Sequence, residues 1–351
     1  MKQNQNIGVL FSPLERGLRG VLSLFFHILL CTGLLLCISC TSKREKTILQ
    51  KAMEVVDSNP QKALLFLDSI SSPELLNEKD RMCYITLLTQ AKYMDYQDIT
   101  TDDQILSAQQ YFARHNDPEM ACRANYYTAS YWYEKGEYKE KEPEYQLLAN
   151  KYAKKAGNQL FQMKSAIWIG SIYYDRDMLD NARIYYHQAE KLLNIEGYSE
   201  KDRLDVVLML GRIYNELNER ERASEYFDEG YEKALLLKND IYESLFLHNK
   251  GIILRDRQQY DEAKAFFDRA LSKRPASEDS IRIYLSYATL YRVTNQPDSN
   301  KYYVDWVKNR IDEITYSYTR EWAFREFELE FEQRLKNKDL LRAVYNAKKS
   351  F

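Results

Sequence analysis

Few side chains in this 351-residue chain combine the type and the spacing that catalysis requires. Three of its four histidines, His115, His187 and His248, stand far apart, and none belongs to an HExxH metal motif. After residues 1–39 are set aside, no cysteines have zinc-binding spacing, and the sequence contains neither a nucleophile elbow nor a phosphate-binding glycine loop. Cys83 and Cys122 are expected to be buried free thiols, with a disulfide between them as the alternative. We therefore predict that the protein is not an enzyme and holds no metal and no cofactor.

The charge balance excludes a second class of function. The chain has 50 basic and 52 acidic residues, and without residues 1–39 it keeps 47 basic and 51 acidic ones, a net charge near −4. A general nucleic-acid binder needs a basic surface, so we expect no nucleic-acid partner. Most of the charged residues should form solvated helix faces, and most of the 29 tyrosines should pack between helices.

One spacing recurs along the chain and indicates the elements that must position any binding residues. From Gly251, the pattern continues at offsets of 3, 12, 16, 19 and 24 with Leu254, Ala263, Phe267, Ala270 and Pro275. Most of these offsets recur from Gly170 and from Gly211, and a fourth copy starts at Ala129. We call these four starting residues anchors, and they stand 41, 41 and 40 positions apart. Such a period predicts stacked supersecondary units.

The packing of helix pairs gives this spacing a physical explanation. A small anchor in the first helix lets the second helix approach closely, and the residues at offsets 12, 16 and 19 share one face of that second helix. Glycine costs about 1 kcal/mol against alanine inside a helix, so glycine at three anchors indicates a close contact there. A single pair cannot bury its own apolar face. The pairs must therefore stack into an array with a continuous core.

The residues that follow Gly251 resemble the tetratricopeptide repeat, because they match its series of small, aromatic, alanine and closing proline positions almost fully. The resemblance implies an all-α fold, a right-handed α-α superhelical solenoid of tetratricopeptide-like helix pairs, with about 40 residues per repeat here. A weaker fifth copy starts at its anchor Ala288 and has Asn300 where the family has alanine. The Ala129 copy has Lys141 at that place. Pro143, two residues later, predicts a shortened or kinked helix near 143.

Helical patterns continue upstream of the regular copies. Pro60 can open a short helix, and the apolar face of that helix comprises Ala63, Leu67 and Ile70. Residues 78–95 and 102–115 carry apolar side chains at helical intervals and predict one more, degenerate pair. No linker rich in Gly, Ser or Pro separates a second domain, so we assign residues 47–314 to one repeat array.

The amino terminus predicts attachment to a membrane. Three basic residues precede an uncharged apolar run over residues 21–39, as in a secretory signal peptide. The end of this run resembles a bacterial lipobox, which implies removal of residues 1–39, lipidation of Cys40 and a short tether through residue 46. An uncleaved helix is the alternative, because about twenty apolar residues span a bilayer. By resemblance to bacterial lipoproteins, Thr41 favours the outer membrane of a Gram-negative cell envelope, on either its periplasmic or its outer side.

By the resemblance to tetratricopeptide repeats, the partner-binding residues lie on the first helix of each pair and line a concave groove. In that family they stand six and three positions before the anchor and one, four and five positions after it. The residues assigned to the groove in this way are Arg123, Tyr126, Tyr133, Lys164, Tyr174, Arg212, Asn215, His248, Arg255 and Arg292, with Ser130, Ser171, Asp205 and Arg282 beside them. Arginine donates paired hydrogen bonds to carboxylates and tyrosine adds rigid contact area, so the expected partner is a protein or an extended, acidic peptide.

The carboxyl-terminal segment, residues 315–351, predicts one polar and continuous helix. Its large apolar residues Trp322, Phe327, Phe331 and Leu335 recur at intervals of four and five. Two interpretations are open. The helix either covers the last repeat as a cap or presents a seam for self-association.

The repeats and the amino terminus together predict a membrane-anchored scaffold for protein–protein interaction. The first alternatives are a structural subunit of an outer-membrane assembly or nutrient-uptake complex, and the sensor half of a signalling system. The stretch from residue 59 to 70 and the pair after it resemble tetratricopeptide lipoproteins and membrane-bound sensors of Bacteroidetes. A hydrolase or a glycan-binding protein with an unrecognised site is the alternative from another class.

Overall fold

The structure, a computed structural model, describes residues 43–136, 138–194, 199–273, 278–314 and 317–349. The regular elements in these residues are fifteen α-helices and two 3-10 helices, without a strand, so the predicted all-α fold is confirmed. The predicted signal peptide and the predicted lipidation site Cys40 lie outside the described residues. Within the described part of the chain, no helix has the length and apolar character needed to cross a membrane.

The chain divides into two compact units between residues 142 and 143. The first unit contains α1 (43–55), α2 (Pro60–Asp68), a 3-10 helix (Pro73–Leu75), α3 (Glu78–Met94), α4 (Gln104–Arg114) and α5 (Pro118–Glu134). Helix α6 (Tyr138–Ala156) spans the division. The second unit continues with α7 (Gln159–Tyr174), α8 (Leu179–Glu190), α9 (Glu200–Glu216), α10 (Arg220–Leu236), α11 (Asp240–Asp256), α12 (Tyr260–Lys273), α13 (Glu278–Val293), α14 (Pro297–Lys308), a 3-10 helix (Ile311–Glu313) and α15 (Ser317–Lys349).

In the first unit, the helices predicted upstream of the regular copies are present. The apolar face predicted for α2 is buried at Ala63, Leu67 and Ile70. Helices α3 and α4 coincide with the predicted degenerate pair and contact each other. Residues 43–46, which belong to the predicted tether, form the first turn of α1. Cys83 and Cys122 are free thiols, as expected; Cys122 is buried, whereas Cys83 is only partly buried.

In the second unit, the glycine anchors stand where two helices approach most closely. A Cβ atom at Gly170 would lie 2.8 Å from Cδ2 of Tyr186, and one at Gly251 would lie 2.5 Å from Cε1 of Phe267. At Gly211 the ring of Phe227 would be closer still. Real Cβ atoms do not come so near to an aromatic ring, so this contact requires glycine, although glycine destabilises a helix relative to alanine. The contact predicted from the sequence is thereby confirmed.

The turn that follows each first helix repeats as well. The residue seven positions after each anchor has a positive φ, which is 57° at Asp177, 63° at Asn218, 63° at Gln258 and 55° at Asn295. In the Ala129 copy the equivalent residue is Gly136, with a φ of 75°. A left-handed residue just beyond a helix end stops the helix and reverses the chain. The repeat therefore fixes the turn between the paired helices as well as their contact.

The two departures from the repeat pattern have local explanations. Helix α6 runs through Pro143 and is 19 residues long, so the predicted shortening is wrong. Pro143 is the sixth residue of α6, so its missing N–H group removes one helical hydrogen bond without ending the helix. The Nζ atom of Lys141 lies 3.5 Å from the ring centroid of Trp132, which accounts for a cation at this position. Asn300 is buried and donates a 2.8 Å hydrogen bond to the carbonyl of Ala288, the anchor of its copy.

Helix α15 packs against α13 and α14. Its Ala323 is fully buried in an apolar cluster with Ile281, Leu285, Val307 and Ile314. The carboxylate of Glu326, which is almost fully buried, accepts hydrogen bonds from Thr289 and from the guanidinium of Arg292. The helix therefore covers the last pair, as the capping interpretation requires.

Candidate functional site

Polar side chains of the first helices meet on one wall of the second unit. The polar wall, as we call it, consists of residues from α9, α11 and α13 together with the end of α7, namely Tyr174, Asp175, Asp205, Arg212, Glu216, Tyr242, His248, Arg255, Arg282 and Ser286. Helix α11 contacts both α9 and α13, which brings these residues side by side. The wall is thus built by the stacking of the pairs and not by any one of them.

Hydrogen bonds between neighbouring first helices hold the wall together. The Tyr174 hydroxyl on α7 donates to Glu216 on α9. The Tyr242 hydroxyl on α11 donates to Asp205 on α9 over 2.5 Å. Between α11 and α13, Nε2 of His248 lies 2.7 Å from the Ser286 hydroxyl, and both side chains are buried. Each bond joins residues about one repeat apart, so the stacking register decides which side chains meet.

The arginines of the wall surround His248. Burial holds the pKa of His248 well below its usual value, and the positive charges of Arg212, Arg282 and Arg255 lower it further. The imidazole is therefore neutral at pH 7. It serves as a hydrogen-bonded spacer between α11 and α13, while the arginines supply the charge.

Arg212 has donors that no carboxylate satisfies. Its Nη1 atom lies 3.9 Å from the sulfur of Met209, and no carboxylate of the described residues lies within 4.0 Å of the guanidinium. Arg255 pairs with its sequence neighbour Asp256 at 2.7 Å, and its buried Nη1 atom has no hydrogen-bond partner among the described residues. Unused guanidinium donors at a partly buried site favour a ligand that brings oxygen acceptors.

The acidic side chains of the wall are partly withdrawn from water. Burial raises the pKa of Asp175, of Asp205 and of Glu216 above the ordinary values. The nearby charge of Arg212 opposes this rise at Asp205 and at Glu216, as do the hydroxyl hydrogen bonds from Tyr242 and Tyr174. Asp205 and Glu216 therefore accept hydrogen bonds from tyrosines of the wall, whereas Arg212 has no carboxylate acceptor.

The predicted groove residues of the second unit lie in different surroundings. Arg212, Asn215 and Arg255 are partly exposed on the wall, and Tyr174 joins them through Glu216. Lys164, near the start of α7, lies 5.6 Å from the ring centroid of Phe161.

Two of the predicted residues have other roles. His248 is buried, with 4% of its surface exposed, so it cannot meet a partner directly. Arg292 is bound to Glu326 of α15 at 3.0 Å, because α15 covers this end of the wall. The predicted partner contact of His248 is therefore wrong, whereas that of Arg292, whose side chain is 24% exposed, stays a prediction.

The predicted residues of the first unit also divide. The side chain of Arg123 is 6% exposed and its predicted role is wrong, since it bonds Asp57 at 2.8 Å, Glu119 at 2.8 Å and Gln90 at 3.0 Å. Tyr126 is half-buried against Tyr127, and Tyr133 is 47% exposed. The residues assigned to one groove thus lie in two units, and the polar wall is formed by those of the second unit.

The sequence reasoning missed Asp175 and Glu216. Both stand five positions after an anchor, which is one of the positions that the family resemblance assigns to the groove. The prediction named mainly arginines and tyrosines, because these residues suit an acidic ligand. The offset alone would have found both acids.

A pH experiment tests the buried state of His248. The pKa of His248 is depressed in the native chain. Near pH 6.5 and below, the unfolded chain therefore binds a proton at His248 that the native chain does not bind. The free energy of unfolding consequently falls as the pH drops from 7 to 5. The contribution is at most about 1.4 kcal/mol per pH unit. His248→Gln keeps a hydrogen-bonding group beside Ser286 but cannot titrate. Urea unfolding at both pH values should therefore show a smaller loss of stability in the variant, and an equal loss would contradict a neutral, buried His248.

Comparison with known proteins agrees with this architecture. The tetratricopeptide repeat sequence model matches residues 204–240 and 246–276, the segment from α9 to the end of α12. No curated protein sequence matches the chain. Among solved structures, NprR in complex with its cognate peptide NprX shares the fold with a TM-score of 0.63 and 15% identity, over 87% of this chain and 88% of that one.

Two further structures show the same likeness. The apo form of the quorum sensor NprR from B. thuringiensis has a TM-score of 0.62 and 13% identity, over 82% of this chain and 81% of that one. A Rap protein complexed with Competence and Sporulation Factor has a TM-score of 0.57 and 12% identity, over 86% and 91%. Identities this low establish a common fold and leave function to be argued from the site. Residues 204–240 and 246–276 thus match the tetratricopeptide repeat model, and the fold of the chain is similar to that of NprR and Rap proteins.

Proposed function

We propose that the protein is a membrane-anchored scaffold that catalyses no reaction and binds a protein or an extended peptide segment on the polar wall of the second unit. The observation that carries the proposal is the guanidinium of Arg212, which stands among partly buried groups without a carboxylate partner. A bound chain supplies carboxylate and backbone carbonyl oxygens, the acceptors that the unused donors of Arg212 need.

The chemistry of the wall suggests how such a segment is held. The acids Asp205 and Glu216 already accept hydrogen bonds from tyrosines, so they compete weakly for Arg212. A side-chain carboxylate of the ligand can take the planar fork of Arg212, and Arg255, which is partly exposed, adds positive charge to the wall. Charged pairs of this kind are worth more in a partly desolvated groove than on an open surface. We therefore place acidic residues of the ligand opposite α9 and α11.

The fold comparison supports this class of function. One similar structure is a complex of NprR with a peptide and another is a complex of a Rap protein with Competence and Sporulation Factor. A shared fold does not carry their ligands over to this chain. It does support a role of the repeats in binding rather than in chemistry.

We propose further that lipidation of Cys40 holds this scaffold in the outer membrane. The support is the apolar run before Cys40 and the resemblance of its end to a lipobox. Each buried methylene of an acyl chain adds about 0.8 kcal/mol of membrane affinity, so several chains give lasting attachment. Metabolic labelling with a fatty acid should mark the wild-type protein and not Cys40→Ala. Equal labelling of both would remove the proposed anchor.

Charge reversal at Arg212 and Arg255 tests the binding wall. After crosslinking in native membranes, capture with the wild-type chain should recover a protein partner, and R212E/R255E should lose at least nine-tenths of it. The neutral pair R212Q/R255Q should lose most of it too, without adding negative charge beside Asp205 and Glu216.

The matched control is R222E/R257E, which makes the same change of net charge outside the wall. Arg222 and Arg257 form ion pairs with Glu219 and Glu221, and their side chains are 61% and 38% exposed. This variant should recover the partner at the wild-type level. Circular dichroism must show native helix content in all variants. Undiminished capture by both wall variants would exclude the polar wall as the binding site.

A further inference from the structure

Helix α15 occupies the place of a first helix in the array. Tyr242 of α11 bonds Asp205 of α9 across 37 positions, and His248 of α11 bonds Ser286 of α13 across 38. The same offset continues from α13 to α15, where Arg282 bonds Thr319 and Thr289 bonds Glu326, each across 37 positions. The chain thus adds one more first helix after α13.

Among the described helices, α13 and α14 pack on α15, and none pairs with α15 as α14 pairs with α13. Its side chains towards α13 and α14 are buried or ion-paired, with Glu326 bound to Arg292 and Glu330 to Lys308. On another side Phe324, Phe331 and Leu335 are 52%, 51% and 46% exposed. The equivalent large residues of α13, Tyr284 and Tyr291, stack on aromatic side chains of its second helix α14. The exposed residues of α15 therefore form an apolar stripe suited to another helix.

The charges along α15 indicate which helix this is. Residues 317–333 contain five glutamates and two arginines, whereas residues 334–349 contain six basic residues and one aspartate. Two such helices side by side in parallel would place like charges together. In an antiparallel arrangement the acidic half of each faces the basic half of the other.

The length of α15 leaves room for such a contact. Gln333 donates a 3.3 Å hydrogen bond to Asn295, at the end of α13, and the helix continues to Lys349. At about 1.5 Å per residue, the part beyond Gln333 is roughly 24 Å long. The basic half thus extends past this bond, where it can reach the acidic half of another copy.

We propose that two copies of the chain associate through antiparallel contact of their α15 helices, with Phe331 of one copy beside Leu335 of the other. A two-fold axis makes this contact self-complementary. The same register brings Glu328 of each copy beside Lys338 of the other. The association is separate from partner binding on the polar wall.

The apolar part of the contact is tested by F331D/L335D. Light scattering on the purified full-length protein in detergent, with a reductant present, should give a dimer for the wild type. The variant should be monomeric at the same concentration, with native helix content by circular dichroism. A monomeric wild type, or a variant that dimerises as strongly, would overturn the proposal.

The antiparallel register is tested by exchange of charge. E328K and K338E should each raise the dissociation constant of the dimer at least tenfold, because each places like charges opposite one another. The double variant E328K/K338E should restore the dimer. A mixture of the two single variants should form a heterodimer, in which both charged pairs are complementary. Dimers that ignore all these exchanges would show that the copies meet in another way.

Discussion

Replacing Phe267 by alanine should lower the free energy of unfolding of the 143–349 unit by about 4 kcal/mol, the usual cost of removing a buried phenylalanine ring. Phe267 is fully buried, and its ring lies 5.5 Å from that of Tyr287 and 5.8 Å from that of His248. It also covers Gly251, which has no side chain to fill the space that the ring would leave. Urea unfolding followed by circular dichroism measures the loss, and hydrogen exchange of the α12 amides assigns it to this unit.

Two companion variants make the result specific. Phe266→Ala changes the neighbouring phenylalanine, which is only half-buried, and should cost far less, about 1 kcal/mol. Gly251→Ala should destabilise the wild type by overpacking, because its Cβ atom would meet the Phe267 ring. In the Phe267→Ala background the same Cβ enters the void and should be neutral or stabilising. If Gly251→Ala changed the free energy of unfolding with the same sign in both backgrounds, the result would contradict the contact between Gly251 and Phe267.

Arg123→Ala should destabilise the first unit by about 3 kcal/mol. Removing one partner of a buried ion pair typically costs about 3–5 kcal/mol, and the lower end applies because Asp57 and Glu119 remain partly exposed. The Arg123 guanidinium ties α5 to the end of α1 through Asp57 and to α3 through Gln90. Its loss should therefore speed hydrogen exchange in α1, α3 and α5 together.

The control for this prediction is Arg222→Ala, which removes an exposed arginine paired with Glu219. Exposed pairs contribute at most about 1 kcal/mol, so this variant should be nearly neutral. If Arg123→Ala were equally neutral, and impaired partner capture instead, then Arg123 would belong to the binding surface that the sequence predicted.

These two residues show how far the sequence leads. Phe267 was predicted as a core residue from a local rule, because offsets of 12, 16 and 19 place three side chains on one face of the second helix. Arg123 was predicted at the groove by an equally local rule, six positions before its anchor. That rule does not see Asp57, which lies 66 positions away and reaches Arg123 only after α1, α3 and α5 have stacked.

The same limit applies at the other end of the array. The sequence predicted a helix after residue 315, which could serve either as a cap or as a seam for self-association. The contact offset of 37 residues makes α15 a further first helix, and α15 supplies the Glu326 carboxylate that binds Arg292. Both contacts appear only in the folded chain. A polar side chain is free or paired according to neighbours on the next repeat, and sequence spacing does not report those pairings.

The sequence by itself determined the helical pairs, the anchor contacts and the absence of recognisable catalytic motifs, because these follow from spacing within about 40 residues. It also predicted the membrane anchor at Cys40. The tertiary structure decided which first-helix residues keep unused donors: it buried Arg123 and His248, paired Arg292, and left Arg212 open on the polar wall. The physical reason is that a charged group's availability depends on its burial and on partners from other helices, which stacking alone brings together.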